Sequence, residues 1–195
     1  MRVVSGSVGG RRLECPPGRD VRPVMDRVKV ALFNILGPDV QGARVLDLYA
    51  GSGSLGIEAL SRGAASACFV ERDPGHAAFA ARNLETLGLD SGRVLVAGVR
   101  EALVRLEREG LAFDLVLSDP PFARDASALP PDVFEDLAAL TCSAAWAPGG
   151  LLVLEHRRGR PAFPQGLAAR RDARDYGGST LSFLERPPAK PQAGA

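Results

Sequence analysis

Between residues 43 and 155 of this 195-residue chain, five short apolar runs alternate with four stretches of helical periodicity. That alternation leaves few folds open. The runs at 43–49, 66–71, 93–97, 113–118 and 150–155 are of strand length, and continuous apolar character predicts burial on both faces. Between them, helices are predicted at 54–62, 74–87, 99–109 and 132–145. Asp73-Pro74 supplies an N-cap followed by a proline at the first helical position, while Gly88 and Gly149-Gly150 mark helix ends. Repeated strand–helix crossovers require a parallel sheet with helices on both faces.

The flanks add three features. Val28, Ala31, Leu32, Ile35 and Leu36 follow the spacing of an amphipathic helix over about 24–36, which Gly37-Pro38 ends. Residues 167–174 and 179–185 flank Tyr176-Gly177-Gly178 and read as an antiparallel pair at a sheet edge. Residues 2–15, with turn signals at Gly6 and Gly9-Gly10, read as a small hairpin or arm. The expected organisation is a basic arm at 1–22, one α/β domain at 23–186 and a Pro/Ala-rich, disordered tail at 187–195.

Two strand ends carry the chemistry. After the first strand, Gly51, Gly53 and Gly56 satisfy G-x-G-x-x-G, and Glu71 ends the next strand 20 residues beyond Gly51. Glycines permit a tight turn and close backbone approach, and the acid takes two ribose hydroxyls, as any adenosine-containing cofactor requires. A dinucleotide would set its pyrophosphate on the helix N-terminus, where Asp47 would be poorly placed. S-adenosylmethionine has no phosphate but carries an ammonium that Asp47 can meet, directly or through water. The pattern therefore favours the methyl donor, with a nicotinamide oxidoreductase as the rival.

The second strand end is Ser118-Asp119-Pro120-Pro121-Phe122, directly after Leu115-Val116-Leu117. Two prolines stop strand pairing and exclude helix, holding a carboxylate, constrained carbonyls and an aromatic ring at a carboxyl strand end. A flat amino-bearing ring can stack on Phe122 and donate to Asp119. Taken alone, the segment also fits a rigid turn with a half-buried Phe.

Composition excludes some classes. Hydrophobic residues make up 46% and charged residues 24%, ordinary for a globular domain, and no apolar stretch approaches membrane-spanning length. The start of the chain lacks the long apolar segment of a signal peptide, and Cys15, Cys68 and Cys142 form neither a metal spacing nor a disulfide framework. A reducing, cytoplasmic setting without metal is expected, with Cys68 in the core. The net charge is only +1, yet residues 1–29 hold seven basic against three acidic side chains. Arg157, Arg158, Arg160, Arg170, Arg171 and Arg174 form a second basic cluster. His76 is expected at the surface, His156 in a structural role, and Trp146 packed at a helix end.

Together, Asp47-x-x-x-Gly51-x-Gly53, Glu71 and Asp119-Pro120-Pro121-Phe122 resemble the amino-methylating branch of class I S-adenosylmethionine-dependent methyltransferases. The chain more closely resembles the RsmD-type bacterial 16S ribosomal RNA guanine-N2 methyltransferases. Arg2-Val3-Val4-Ser5-Gly6 through Gly10-Arg11-Arg12-Leu13, Arg22-Pro23, Asp26-Arg27-Val28, Leu32-Phe33-Asn34, Asp47 to Ala64 and Tyr176-Gly177 carry the likeness. It spans residues 2 to about 185.

The resemblance implies a class I, Rossmann-like fold with a seven-stranded, mostly parallel sheet and a C-terminal antiparallel hairpin strand. It implies S-adenosyl-L-methionine as cofactor, held by Asp47, Tyr49, Gly51, Ser52, Gly53, Glu71, Arg72, Gly98, Val99, Arg100 and Asp119. Asp119, Pro120 and Phe122 would be catalytic. Arg2, Arg11, Arg12, Arg22, Arg27, Pro121 and Arg157 would contact 16S rRNA or a small-subunit particle, with a monomeric enzyme acting on the RNA. Val24-Met25 and Val30 depart from the family pattern. Ala97-Gly98-Val99-Arg100 also lacks the acid or amide that often meets the adenine amino group, leaving that task to backbone groups. A DNA adenine-N6 or protein-glutamine-N5 methyltransferase would share the tetrad, and a non-catalytic RNA-binding module would share only the basic arm.

Overall fold

The computed structural model describes residues 1–16, 23–122, 129–159, 161–165, 167 and 170–186. Arg22, the side chains of Val24 and Met25, Arg160 and the 187–195 tail lie outside the described residues. The chain runs α1 (Pro23–Leu36), a 3-10 turn (Gly37–Val40), β1 (Arg44–Leu48), α2 (Ser54–Ser61), β2 (Ser66–Glu71), α3 (Pro74–Leu87) and β3 (Gly92–Val96). It continues with α4 (Val99–Arg108), β4 (Phe113–Ser118), α5 (Pro131–Cys142), β5 (Trp146–Arg157), β6 (Arg170–Tyr176) and β7 (Ser179–Glu185). The seven strands form one sheet in the order β3-β2-β1-β4-β5-β7-β6. β1 to β5 pair in parallel, and β7 lies antiparallel to both β5 and β6. This is the class I methyltransferase architecture.

Side-chain alternation sorts the strands into two cores. Val45, Ala67, Phe69, Leu115, Leu117, Leu151 and Val153 face α1, α2, α3 and the N-terminal residues Val3 and Leu13. Leu46, Cys68, Val70, Val116, Leu152 and Leu154 face α4 and α5. Both faces are buried, which is why the strands read as unbroken apolar runs. α2 approaches β2 so closely that a Cβ on Gly56 would overlap the fully buried Phe69 ring. Gly56→Ala is therefore expected to cost about 1–3 kcal/mol through overpacking, read as a lowered urea midpoint.

The prediction for Trp146 needs correction. Ser143 to Ala145 leave the helix, with Ser143 extended as its C-cap, and Trp146 opens β5 opposite Phe113. The cause is burial: the fully enclosed indole joins the α4–α5 core, and a register shift at Phe113/Leu115 accommodates Pro148-Gly149. A helix over 132–145 would carry Trp146 off that core. The arm forms its hairpin through an Arg2↔Arg12 bridge, with Gly10 N–H donating to Val3 O at 2.9 Å.

Candidate active site

β1 ends in a backbone reversal. Tyr49 adopts φ 60°, followed by Gly51 at 57° and Gly53 at 84°. The left-handed region is costly for a bulky residue, so Tyr49 needs outside support. Its hydroxyl donates to Asp136 Oδ2 at 2.7 Å, and Asp136 Oδ1 lies 3.1 Å from Arg100 Nε. One chain of contacts thus joins the glycine loop, the start of α4 and the α5 helix. Burial raises the Asp136 carboxyl above its ordinary range, against the opposing pull of Tyr49 and Arg100.

Glu71 holds the loop from the next strand. Its Oε2 accepts from Gly51 N at 2.9 Å and its Oε1 from Asp73 N at 2.9 Å. Asp47, 1% exposed, accepts from Gly56 N at 2.8 Å. Burial pushes the Asp47 carboxyl up to about 7, with the Gly56 bond opposing and the Glu71 charge adding to the rise. A carboxyl raised in the folded state binds its proton there between about pH 4 and 7, when the unfolded chain has released it. Its contribution to stability therefore falls as pH rises through that window. Asp47→Asn is expected to remove a loss on the order of 4 kcal/mol between pH 4 and 7, measured by urea unfolding of the cofactor-free protein.

The N-terminal hairpin is clamped to this loop. Glu58, on α2 and fully buried, accepts from Val4 N at 2.6 Å, Ser5 N at 3.1 Å and Arg62 Nε at 2.7 Å. Lys29 lies 3.8 Å from Glu58 and donates to Arg2 O at 2.6 Å and Ser54 Oγ at 3.0 Å. Asn83 of α3 donates to Ser52 O at 2.9 Å and Glu14 O at 3.0 Å. These buried polar groups satisfy one another across five segments, so arm, α1, α2, α3 and loop form one body.

Between these elements opens a cleft of about 1390 Å³. Tyr49, Ser52, Glu71, Arg72, Gly98, Val99 and Arg100 line one part of it, and Asp119, Pro120, Pro121, Phe122 and Arg157 another. A recess of about 100 Å³ adjoins it, lined by Asp47, Gly51, Lys29, Asp119 and Glu155 among others. Phe122 is 44% exposed on the cleft wall. Gly53 lines neither cavity and caps α2 from below the loop.

The basic residues divide. Arg2, Arg11 and Arg12 are exposed on the hairpin and Arg27 on α1, all outside the cleft wall. In the second cluster, Arg158 pairs with Asp175 at 3.2 Å and Arg174 with Asp172 at 2.7 Å, which offsets the charge of those two of its six arginines. His76 is partly exposed at the surface of α3, on the cleft wall. His156 is buried, with Nε2 2.9 Å from Ser182 Oγ and Nδ1 2.8 Å from Arg157 O, a structural placement.

Sequence reading missed Lys29, Glu58, Asp132, Asp136 and Glu155. Glu155 had a signal: it directly ends an apolar run, as Glu71 does. Asp136 had none, since an acid on an amphipathic helix reads as solvated. Among the described residues no cluster of three or more His, Cys, Asp or Glu is placed to hold a metal, and no helix is long and apolar enough to cross a membrane.

Residues 1–185 match the family model described as conserved hypothetical protein 95. The putative rRNA methyltransferase YlbH of Bacillus subtilis is 43% identical over 123 residues, 63% of this chain and 67% of that protein. Ribosomal RNA small subunit methyltransferase D of Haemophilus influenzae is 34% identical over 163 residues, 83% of this chain and 81% of that protein. The solved putative methyltransferase yhhF of Escherichia coli superposes with a TM-score of 0.79 at 32% identity, covering 97% of this chain and 99% of that one. Solved proteins below 25% identity that share the fold include complexes with S-adenosylhomocysteine and with AdoMet and guanosine.

Proposed function

The chain belongs to the conserved hypothetical protein 95 family, the RsmD-type methyltransferases, and on that premise we propose that it methylates ribosomal RNA, moving the methyl group of S-adenosylmethionine to the exocyclic N2 of a guanine in 16S rRNA. The resemblance to the family, and no residue of this chain, points to guanine 966 as the position. The observation that carries this reading is the single cleft shared by the glycine loop with Glu71 and the Asp119-Pro120-Pro121-Phe122 segment. Cofactor and acceptor chemistry meet there over β1 and β4.

Each oxygen of Glu71 has lone-pair capacity beyond its amide bond, and these remaining sites take the ribose hydroxyls. Asp47 faces the cofactor's ammonium, Tyr49, Ser52 and Gly53 shape the loop around it, and Arg72 flanks the ribose. Backbone groups of Gly98, Val99 and Arg100 meet the adenine.

The N2 lone pair of guanine is delocalised into the ring. Asp119 and the Pro120 carbonyl orient the amino group, while Phe122 stacks on a base turned out of its helix. When bound, the cofactor would supply an electrophilic methyl group and would depart as a neutral thioether; Asp119 would pass the surplus N2 proton to solvent. Asp119 offsets positive charge as it develops on nitrogen. Arg2, Arg11, Arg12, Arg27 and Arg157 contact phosphates, with Pro121 against the nucleotide.

Methylation with labelled donor on naked 16S RNA and on small-subunit particles, mapped by mass spectrometry, tests this. N2-methylguanine at one position is expected; label in DNA adenine or protein glutamine instead would overturn it. Glu71→Ala is expected to weaken S-adenosylhomocysteine binding about 10–100-fold in calorimetric titration, with NAD showing no heat.

A further inference from the structure

β5 brings a second carboxylate to the acceptor side of the cleft. The register pairs Asp47 with Leu117 and Ser118 with Leu154, so Asp119 and Glu155 follow side by side at the carboxyl edge of neighbouring strands. Glu155 is two residues beyond Val153, and Asp119 two beyond Leu117, on the sheet face that also carries Asp47 and Glu71. Glu155 lines both the cleft and its recess, as Asp119 does. The sheet order β2-β1-β4-β5 then sets the direction. Glu71 and Asp47 lie over the cofactor strands, Asp119 comes next, and Glu155 lies on the far side of Asp119 from the cofactor. A base whose amino group is held at Asp119 extends toward Glu155.

What can lie there follows from the edge each base presents. Guanine carries two adjacent donors, N2–H and N1–H. Adenine and cytosine place an acceptor nitrogen beside their amino group. An ionised carboxylate only accepts. A carboxylate beside the one that holds the amino group therefore suits guanine and repels the other two. We propose that Glu155 is the residue that selects guanine, its carboxylate accepting the N1–H of the base whose N2 is held at Asp119. This rests on the guanine-N2 reading above. Burial holds the Glu155 carboxyl above its ordinary range, and the hydrogen bond to Ser179, buried on β7, opposes that rise without cancelling it.

The test replaces the mapped guanine by 2-aminopurine, which keeps the 2-amino group but has a lone pair at N1 and no O6. Wild-type enzyme is expected to prefer guanine by at least about 100-fold in kcat/KM, since a site built for an N–H rejects analogues lacking it. Glu155→Gln can turn an amide N–H toward N1, and its preference is expected to shrink about 100-fold or more. The missing O6 is common to both enzymes and cancels in the comparison. Titration with S-adenosylhomocysteine confirms folding; if the Gln variant fails it, Glu155→Ala is read the same way, since it too removes the repulsion. Glu155→Asp is expected to keep the guanine preference at reduced rate. Equal preferences in wild type and Gln variant overturn the proposal while leaving the guanine-N2 reading intact. Failure of wild type to form N2-methylguanine overturns both.

Discussion

Asp119→Ala is expected to lower methyl transfer about 10²–10³-fold while shifting S-adenosylhomocysteine affinity far less. The asymmetry follows from position. Asp119 borders the recess that holds Asp47 but stands at the end of β4, beyond the loop and Glu71 to which we assign the cofactor. Its charge counts most when the amino nitrogen turns positive, a condition met only in the transition state. Asp119→Asn keeps an acceptor for the amino group and loses only the charge, so it should retain more activity than Ala. Single-turnover rates with saturating donor separate chemistry from product release. An Ala variant that transfers methyl at the wild-type rate would remove Asp119 from the mechanism.

Glu58→Ala is expected to be the most destabilising single change outside the hydrophobic core, by about 3–5 kcal/mol. The carboxylate is fully buried and accepts from Val4 N, Ser5 N and Arg62, with Lys29 close by. Its loss strands two amide donors and leaves the Lys29 ammonium buried beside fewer acceptors. Glu58→Gln keeps one acceptor oxygen and should cost less. Urea unfolding measures both, and proteolysis of the N-terminal hairpin reports where the loss begins. A midpoint unchanged in the Ala variant would mean that Val3 and Leu13 packing and the Lys29 and Asn83 hydrogen bonds hold the hairpin without Glu58. Because Lys29 also donates to Ser54 beside the glycine loop, weaker cofactor binding should accompany the destabilisation.

Much of the fold was legible because burial on both sheet faces leaves a simple mark. Phe113–Ser118, Ser66–Glu71, Ser179–Glu185 and Pro74–Leu87 have the bounds that apolar runs, caps and glycines indicate. The glycine loop was legible for a similar reason: Gly56 is required by contact with Phe69, and a three-glycine spacing with an acid 20 residues on has few other uses. The arm was legible as a hairpin, but its attachment was not. Glu58 and Asn83 sit mid-helix, where the chain pattern says nothing of what lies across from them.

Trp146 and Glu155 show where local reading stops. Ser143-Ala144-Ala145 carry no Gly or Pro, so the helix ends early through tertiary contacts: the indole packs against α4 and α5, Ala144 N donates to Glu107, and Arg186 donates to Ser143 O. Glu155 becomes a neighbour of Asp119 solely because β5 pairs with β4 in a register that sets Leu154 beside Ser118. Strand order and register are long-range quantities: a shift of one residue would turn Glu155 to the other face. The chain's own residues thus settle which segments are strands, where the cofactor loop and the acceptor tetrad lie, and that each ends a strand. Which carboxylates share a cavity, and on which side of Asp119 the base must extend, is set by the order β1-β4-β5, since side chains from separate strands meet only after the sheet has formed.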